Sequence, residues 1–148
     1  MPHPLLAPAL AACLLVAASG GTSAAVSPEA VGPILVEAID RADDSCWRDP
    51  EKASRYAADR LERNGFDVVR EELGEKLSEE GYVLYFGVIA ERSGGSCSGT
   101  LHIFLSKPTW REGERGEHTV GPDTSRVSAP KSADQHVLGR LRSFIEQL

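Results

Sequence analysis

Tyr82-Val-Leu-Tyr-Phe-Gly-Val-Ile-Ala90 decides the fold. The run is rich in β-branched and aromatic residues and carries no charge, the composition of a strand. Successive strand side chains point to opposite faces. Tyr82, Leu84, Phe86 and Val88 therefore form one apolar row, and Val83, Tyr85 and Ile89 form another. One row should meet helices. The other needs a cover: the long segment with Trp110, or a partner molecule.

The neighbouring sequence supplies two more strands. Ser93-Gly-Gly-Ser-Cys-Ser-Gly99 is a flexible connection. Beyond it Leu101, Ile103 and Leu105 alternate with Thr100, His102, Phe104 and Ser106, which predicts a half-buried strand and an antiparallel hairpin. Upstream, Phe66-Asp-Val-Val-Arg-Glu-Glu-Leu73 reads as a strand with partial alternation, and residues 74–81 as a polar turn or one helical turn.

Three helices are expected. Ser27-Pro28-Glu29 opens one, with a capping serine, proline in the first turn and an acid at the positive dipole end. Val31, Ile34, Leu35, Ala38 and Ala42 follow at helical spacing. Asp49-Pro50-Glu51 opens a second, with Ala53, Tyr56, Ala57 and Leu61 on its apolar stripe and Asn64-Gly65 as its C-cap. Ser132-Ala-Asp-Gln135 forms a capping box before the third. Its apolar face is Val137, Leu138, Leu141, Phe144, Ile145 and Leu148. Residues 107–131, rich in Gly, Pro, Glu and Arg, read as a long loop or a partly disordered segment. Short strands near Thr119-Val120 and Arg126-Val127 are the alternative, because so long a structureless loop is unusual in a compact domain. The expected class is α+β, in the order ααβββα. Two N-terminal helices and one C-terminal helix would lie on a three-stranded antiparallel sheet with room for a fourth strand.

Residues 1–25 contain no Asp, Glu, Lys or Arg. An apolar run, Leu10-Ala-Ala-Cys-Leu-Leu-Val-Ala-Ala18, precedes small residues up to Ser23-Ala24-Ala25, the form of a secretory signal peptide. The run is short of the roughly 20 residues that span a bilayer. Residues 26–148 are then one exported domain, periplasmic or extracellular. Leu10-Ala11-Ala12-Cys13 also resembles a bacterial lipoprotein cleavage box, so membrane attachment would require lipidation of Cys13. Against it, the apolar run continues through Leu14-Leu15-Val16.

The 16 Lys and Arg and 22 Asp and Glu give a formal charge of -6. That argues against nucleic acid and against an anionic membrane surface. After signal removal two cysteines are left, Cys46 and Cys97, and an even count in an oxidising compartment predicts a disulfide. The loop closed is about 50 residues, worth roughly 4 kcal/mol in the chain-entropy picture.

No catalytic set emerges. Gly95-Ser96-Cys97-Ser98-Gly99 has the outline of a nucleophile elbow but joins two strands, and a disulfide explains its cysteine better. Ser128-Ala-Pro-Lys131 matches S-x-x-K without the partner motifs of that chemistry. Asp40, Asp43, Asp44, Asp49 and Glu51 crowd around Cys46-Trp47, and Glu71, Glu72, Glu75, Glu79 and Glu80 form a second acidic stretch. Neither has a calcium-loop pattern, and both read as solvated surface. His102, His118 and His136 show no metal-ligand spacing, so neither metal nor cofactor is implied. Trp47 reads as packing beside the disulfide.

The sequence therefore favours a small exported protein-binding domain, an inhibitor, immunity factor or envelope accessory protein whose partner is another exported or envelope protein. Trp110, Arg111 and Arg115 are the expected partner-binding residues, since Trp and Arg are enriched at interface hot spots. The alternatives are an exported hydrolase using the acidic residues and a membrane-anchored lipoprotein with a structural envelope role.

Overall fold

The computed structural model describes residues 26–43, 45–71, 76–111 and 114–148, and in the hairpin it leaves the side chains of Trp110, Arg111 and Arg115 undescribed. Residues 1–25, with the signal sequence and Cys13, lie outside the described residues, as do Asp44, Glu72 and Glu75 of the acidic stretches. The fold is α+β: β1 (Ile34–Ala42), α1 (Pro50–Arg63), β2 (Tyr82–Ser93), β3 (Ser96–Arg111), β4 (Glu114–Ala129) and α2 (Asp134–Ile145). The four strands lie side by side in chain order. β1 runs parallel to β2, whereas β2–β3 and β3–β4 are antiparallel. The order is thus βαβββα rather than ααβββα, and the sheet is mixed rather than wholly antiparallel.

The first expected helix is a strand. Ser27-Pro28-Glu29 opens only one 3-10 turn, Pro28–Ala30. Pro33 lacks an N–H and its ring obstructs the preceding turn, so Gly32-Pro33 stops a helix before Ile34. Ile34, Val36 and Ala38 then face the core at strand spacing. Parallel neighbours need a crossover, and α1 provides it. Its ends are those the sequence marks. The Asp49 side chain accepts from the Lys52 N–H, and Asn64 closes the C-terminus ahead of Gly65 at φ 89°.

Of the strand expected over residues 66–73, the described part (66–71) forms one parallel bridge, Ile34↔Val68. Ile34 N–H donates to Asp67 O at 2.8 Å and Val69 N–H to Ile34 O at 2.9 Å, after which the pairing ends.

The loop expected over residues 107–131 is mostly strand. β3 runs on to Arg111 and β4 returns from Glu114, so both short strands suspected there belong to one long β4. The register shifts between Ile103 and Leu105: Ile103 pairs with Asp123 but Leu105 with Val120. Gly121, at φ 60°, and Pro122 fill this bulge on the outermost strand, where a residue without an N–H is tolerated.

α2 forms as expected and buries Val137, Leu141, Phe144 and Ile145, but its capping box does not. The N-cap is Ala133 without a side-chain bond. Asp134 instead accepts from the backbone of Arg48 at 3.3 Å and of Asp49 at 3.1 Å. One carboxylate thus joins the starts of both helices. Arg60 pairs with Glu146, and Asn64 donates to Ile145 O at 3.3 Å, closing the other end of the helix pair.

The core lies between the helices and one face of the sheet. Leu84, Phe86, Val88, Leu101, Ile103 and Leu105 are buried there against Ala53, Ala57 and Leu61 of α1 and Leu141 and Ile145 of α2. Each large apolar side chain so buried contributes about 1.5–3 kcal/mol. Cys46, between β1 and α1, is bonded to Cys97 at the start of β3, with Cα atoms 5.6 Å apart. Trp47 packs on Phe86, ring centroids 5.9 Å apart, the packing role the sequence suggests.

Candidate functional site

The second face of β2 is closed at one end only. Val83 is buried with Leu35 and Val69, and Leu77 packs on them. The cover for this end comes from the segment after α1. The segment with Trp110 does not fold back over the sheet; its backbone extends it. From Lys107 to Arg111, β3 pairs with β4 alone, so the β3–β4 hairpin continues past β2 as a two-stranded ribbon.

Beyond Val83 the face is open. Register sets three rows across the strands. Glu37, Tyr85 and Phe104 form the first, Ile39, Gly87, His102 and Thr124 the second, and Arg41, Ile89, Thr100 and Arg126 the third. Ile39 is 41% exposed and Ile89 51%, the two large hydrophobic residues most open to solvent among the described residues. Tyr85 and Phe104 pack beside them, ring centroids 5.3 Å apart and tilted by 34°. Gly87 opens a dimple between these side chains. A Cβ there would stand 3.0 Å from Ile39 O and 3.2 Å from Ile39 Cβ, so glycine is what lets β1 approach while leaving a hollow. The hollow, about 220 Å³, is lined by Ile39, Arg41, Tyr85, Gly87, Ile89, His102 and Phe104. A glycine inside a strand often marks such a close approach.

A larger groove, about 380 Å³, runs between α1 and β1 beside Leu35, Val36, Arg55 and Arg70. Its arginines already have partners, which makes it the weaker candidate. Arg55 pairs with Glu51 at 3.5 Å, and Arg70 with Glu62 at 2.9 Å and Asp59 at 3.1 Å. Hydrogen bonds to Glu62 and then Asp59 raise the Arg70 guanidinium above its ordinary value, so it is charged at any physiological pH. On the open face, by contrast, neither Arg41 nor Arg126 forms an ion pair among the described residues.

Of the residues singled out in the sequence, Cys46 and Cys97 come together as a disulfide. Trp110 is opposite Arg115, and Arg111 opposite Glu114, at the far end of the ribbon, away from the hollow. The acidic residues near Cys46 serve local structure: Asp40 caps the Ala42 N–H at 3.0 Å, Asp49 caps α1, and Glu51 pairs with Arg55. No three His, Cys, Asp or Glu side chains converge as a metal site among the described residues. His102 Nδ1 bonds Thr124 Oγ1 at 3.2 Å and His136 Nε2 bonds Ser125 Oγ at 3.0 Å. Ser128 of the S-x-x-K run lies in β4 opposite Ser98, not at a helix start. Sequence reasoning missed Ile39, Arg41 and Arg126 because it placed the first two on a helix and the third in a long loop or, at most, a short strand with no partner assigned.

No family model and no curated protein matches the chain. Solved structures share its outline. The hypothetical protein CT253 of Chlamydia trachomatis is 8% identical, TM-score 0.43, over 77% of this chain and 98% of that one. Lipoprotein GNA1162 of Neisseria meningitidis is 18% identical, TM-score 0.38, over 78% and 95%. The PelC dodecamer of Paraburkholderia phytofirmans is 12% identical, TM-score 0.43, over 84% and 93%. At these identities and scores none of them lends this chain a function.

Proposed function

We propose that the protein is an exported binding domain that recognises another exported or envelope protein, in the role of an inhibitor, immunity factor or envelope accessory protein. The observation that carries this reading is the open sheet face, where Ile39 and Ile89 stand in solvent beside a packed Tyr85–Phe104 pair. Contiguous exposed apolar surface on a soluble domain marks an interaction site. The ribbon is a second contact. Two strands without a third are marginal in water and gain from packing on a partner. Trp110, Arg111 and Arg115 at its end are assigned to that contact. Export is supported by the signal-like residues 1–25 and by the Cys46–Cys97 bond, which persists in oxidising compartments.

A photo-crosslinking residue in place of Thr100, between Ile89 and Arg126 in the third row, tests the reading in cells. The expected result is one discrete protein adduct in the envelope fraction, competed away by excess unmodified protein and weakened by Trp110→Ala without a change in melting temperature. Absence of a saturable adduct contradicts recognition through this face. A large drop in melting temperature for Trp110→Ala would make that residue structural instead.

A further inference from the structure

We infer that the open face takes an extended acidic segment of its protein partner, in which an apolar side chain sits between two carboxylates. This rests on the recognition reading above and specifies the chemistry recognised. Arg41 and Arg126 occupy the same row of the sheet, on its first and last strands, with Ile89 and Thr100 between them. Three strand spacings of about 4.8 Å set the two arginines roughly 14 Å apart. An extended chain rises about 3.4 Å per residue, so it covers that span in about four residues. Its side chains alternate, so residues i, i+2 and i+4 face the sheet together. Carboxylates at i and i+4 then meet Arg126 and Arg41, and the apolar side chain at i+2 falls over Ile89 and the Gly87 hollow. A helix fits poorly, because its i and i+4 positions are only about 6 Å apart.

Charge favours this occupant. The chain carries -6 overall, yet both arginines of this row lack an ion-pair partner among the described residues. Arginine binds carboxylates through two parallel donors, which gives direction as well as attraction. Along the strands the acids two residues from the row are Asp43, after Arg41, and Glu91, after Ile89; they border it on one side and disfavour a more acidic or a longer anionic ligand, while Glu37 stands two rows away on the other side, beyond Ile39. Size also favours a short segment over a second copy of this chain. The hollow of about 220 Å³ is of a size to take a single apolar side chain, the i+2 residue of such a segment.

The probe is a labelled nonapeptide, Gly-Ser-Asp-Thr-Phe-Thr-Asp-Ser-Gly with blocked ends, titrated into the intact oxidised protein and followed by fluorescence anisotropy. Binding should fall by about tenfold when both Asp become Asn, and by a similar factor when Phe becomes Ala. It should also fall in the double variant Arg41→Gln/Arg126→Gln, whose residues are exposed and whose melting temperature should match the parent's, and moving the second Asp next to the first should weaken it. Equal binding of the Asn peptide, or full binding by the double variant, overturns the inference. So does binding to phosphatidylglycerol vesicles with none to the peptide, which would make the face a lipid surface. If no peptide binds but the Thr100 crosslinker still yields its adduct, recognition stands and the acidic chemistry falls. If both fail, both readings fall together.

Discussion

The two faces of one sheet are built from the same alternating strands and end in opposite environments. Toward the helices, Leu84, Phe86 and Val88 of β2 are fully buried. Away from them, Val83 is covered, Tyr85 is half-covered and Ile89 is half in solvent. The strand does not decide this difference. Two helices close one face along its length, while the segment after α1 reaches only the Leu35–Val83 end of the other. An apolar row without an intramolecular cover is expensive to keep unless something else covers it, and that is the physical case for a partner.

The comparison can be broken by mutation. The largest effect is expected on the closed face. Phe86→Ala should cost about 3–5 kcal/mol and Leu141→Ala about 2–5 kcal/mol in chemical denaturation, since both are buried and would leave cavities. A change under about 0.5 kcal/mol for either would place it outside the core. The disulfide should rank beside them. Replacing Cys46 and Cys97 together should cost roughly 4 kcal/mol for a closed loop of about 50 residues. Intact mass should rise by about 2 Da on reduction of the native protein, and two thiols alkylated without reductant would contradict the bond. Next comes the carboxylate that joins the helix starts. Asp134→Ala should cost about 1 kcal/mol, because the N–H groups of Arg48 and Asp49 lose their acceptor. An unchanged midpoint would show that water replaces it. Smallest of all, Ile39→Ser with Ile89→Ser should stay within about 0.5 kcal/mol of the parent, as for surface positions generally.

Much of the closed face was legible in the sequence, and little of the open one. α1 carried its own punctuation, Asp49 at one end and Asn64-Gly65 at the other. β2 and β3 showed alternation because one face of each is buried. β1 reads as a helix because Ile34, Leu35, Ala38 and Ala42 fit a helical stripe as well as a strand, although Pro33 interrupts that helix. That error hid the open face, since Ile39 and Arg41 join it only when β1 is a strand in register with Gly87 and Ile89. β4 reads as a loop because an outermost strand is wet on most of its surface; among its described residues Val120 and Val127 alone join the apolar core. The α2 cap failed for a different reason. Asp134 bonds backbone groups 85 and 86 residues away, a choice made by tertiary packing that no local pattern records.

The most direct test of the divided sheet combines stability and capture in one variant. With the crosslinker at Thr100, Ile39→Ser/Ile89→Ser should lose the envelope adduct while its unfolding free energy stays within about 0.5 kcal/mol of the parent. An adduct that survives the double change, or a stability loss above about 2 kcal/mol, would contradict the account, the first by removing the apolar face from recognition and the second by showing it to be core.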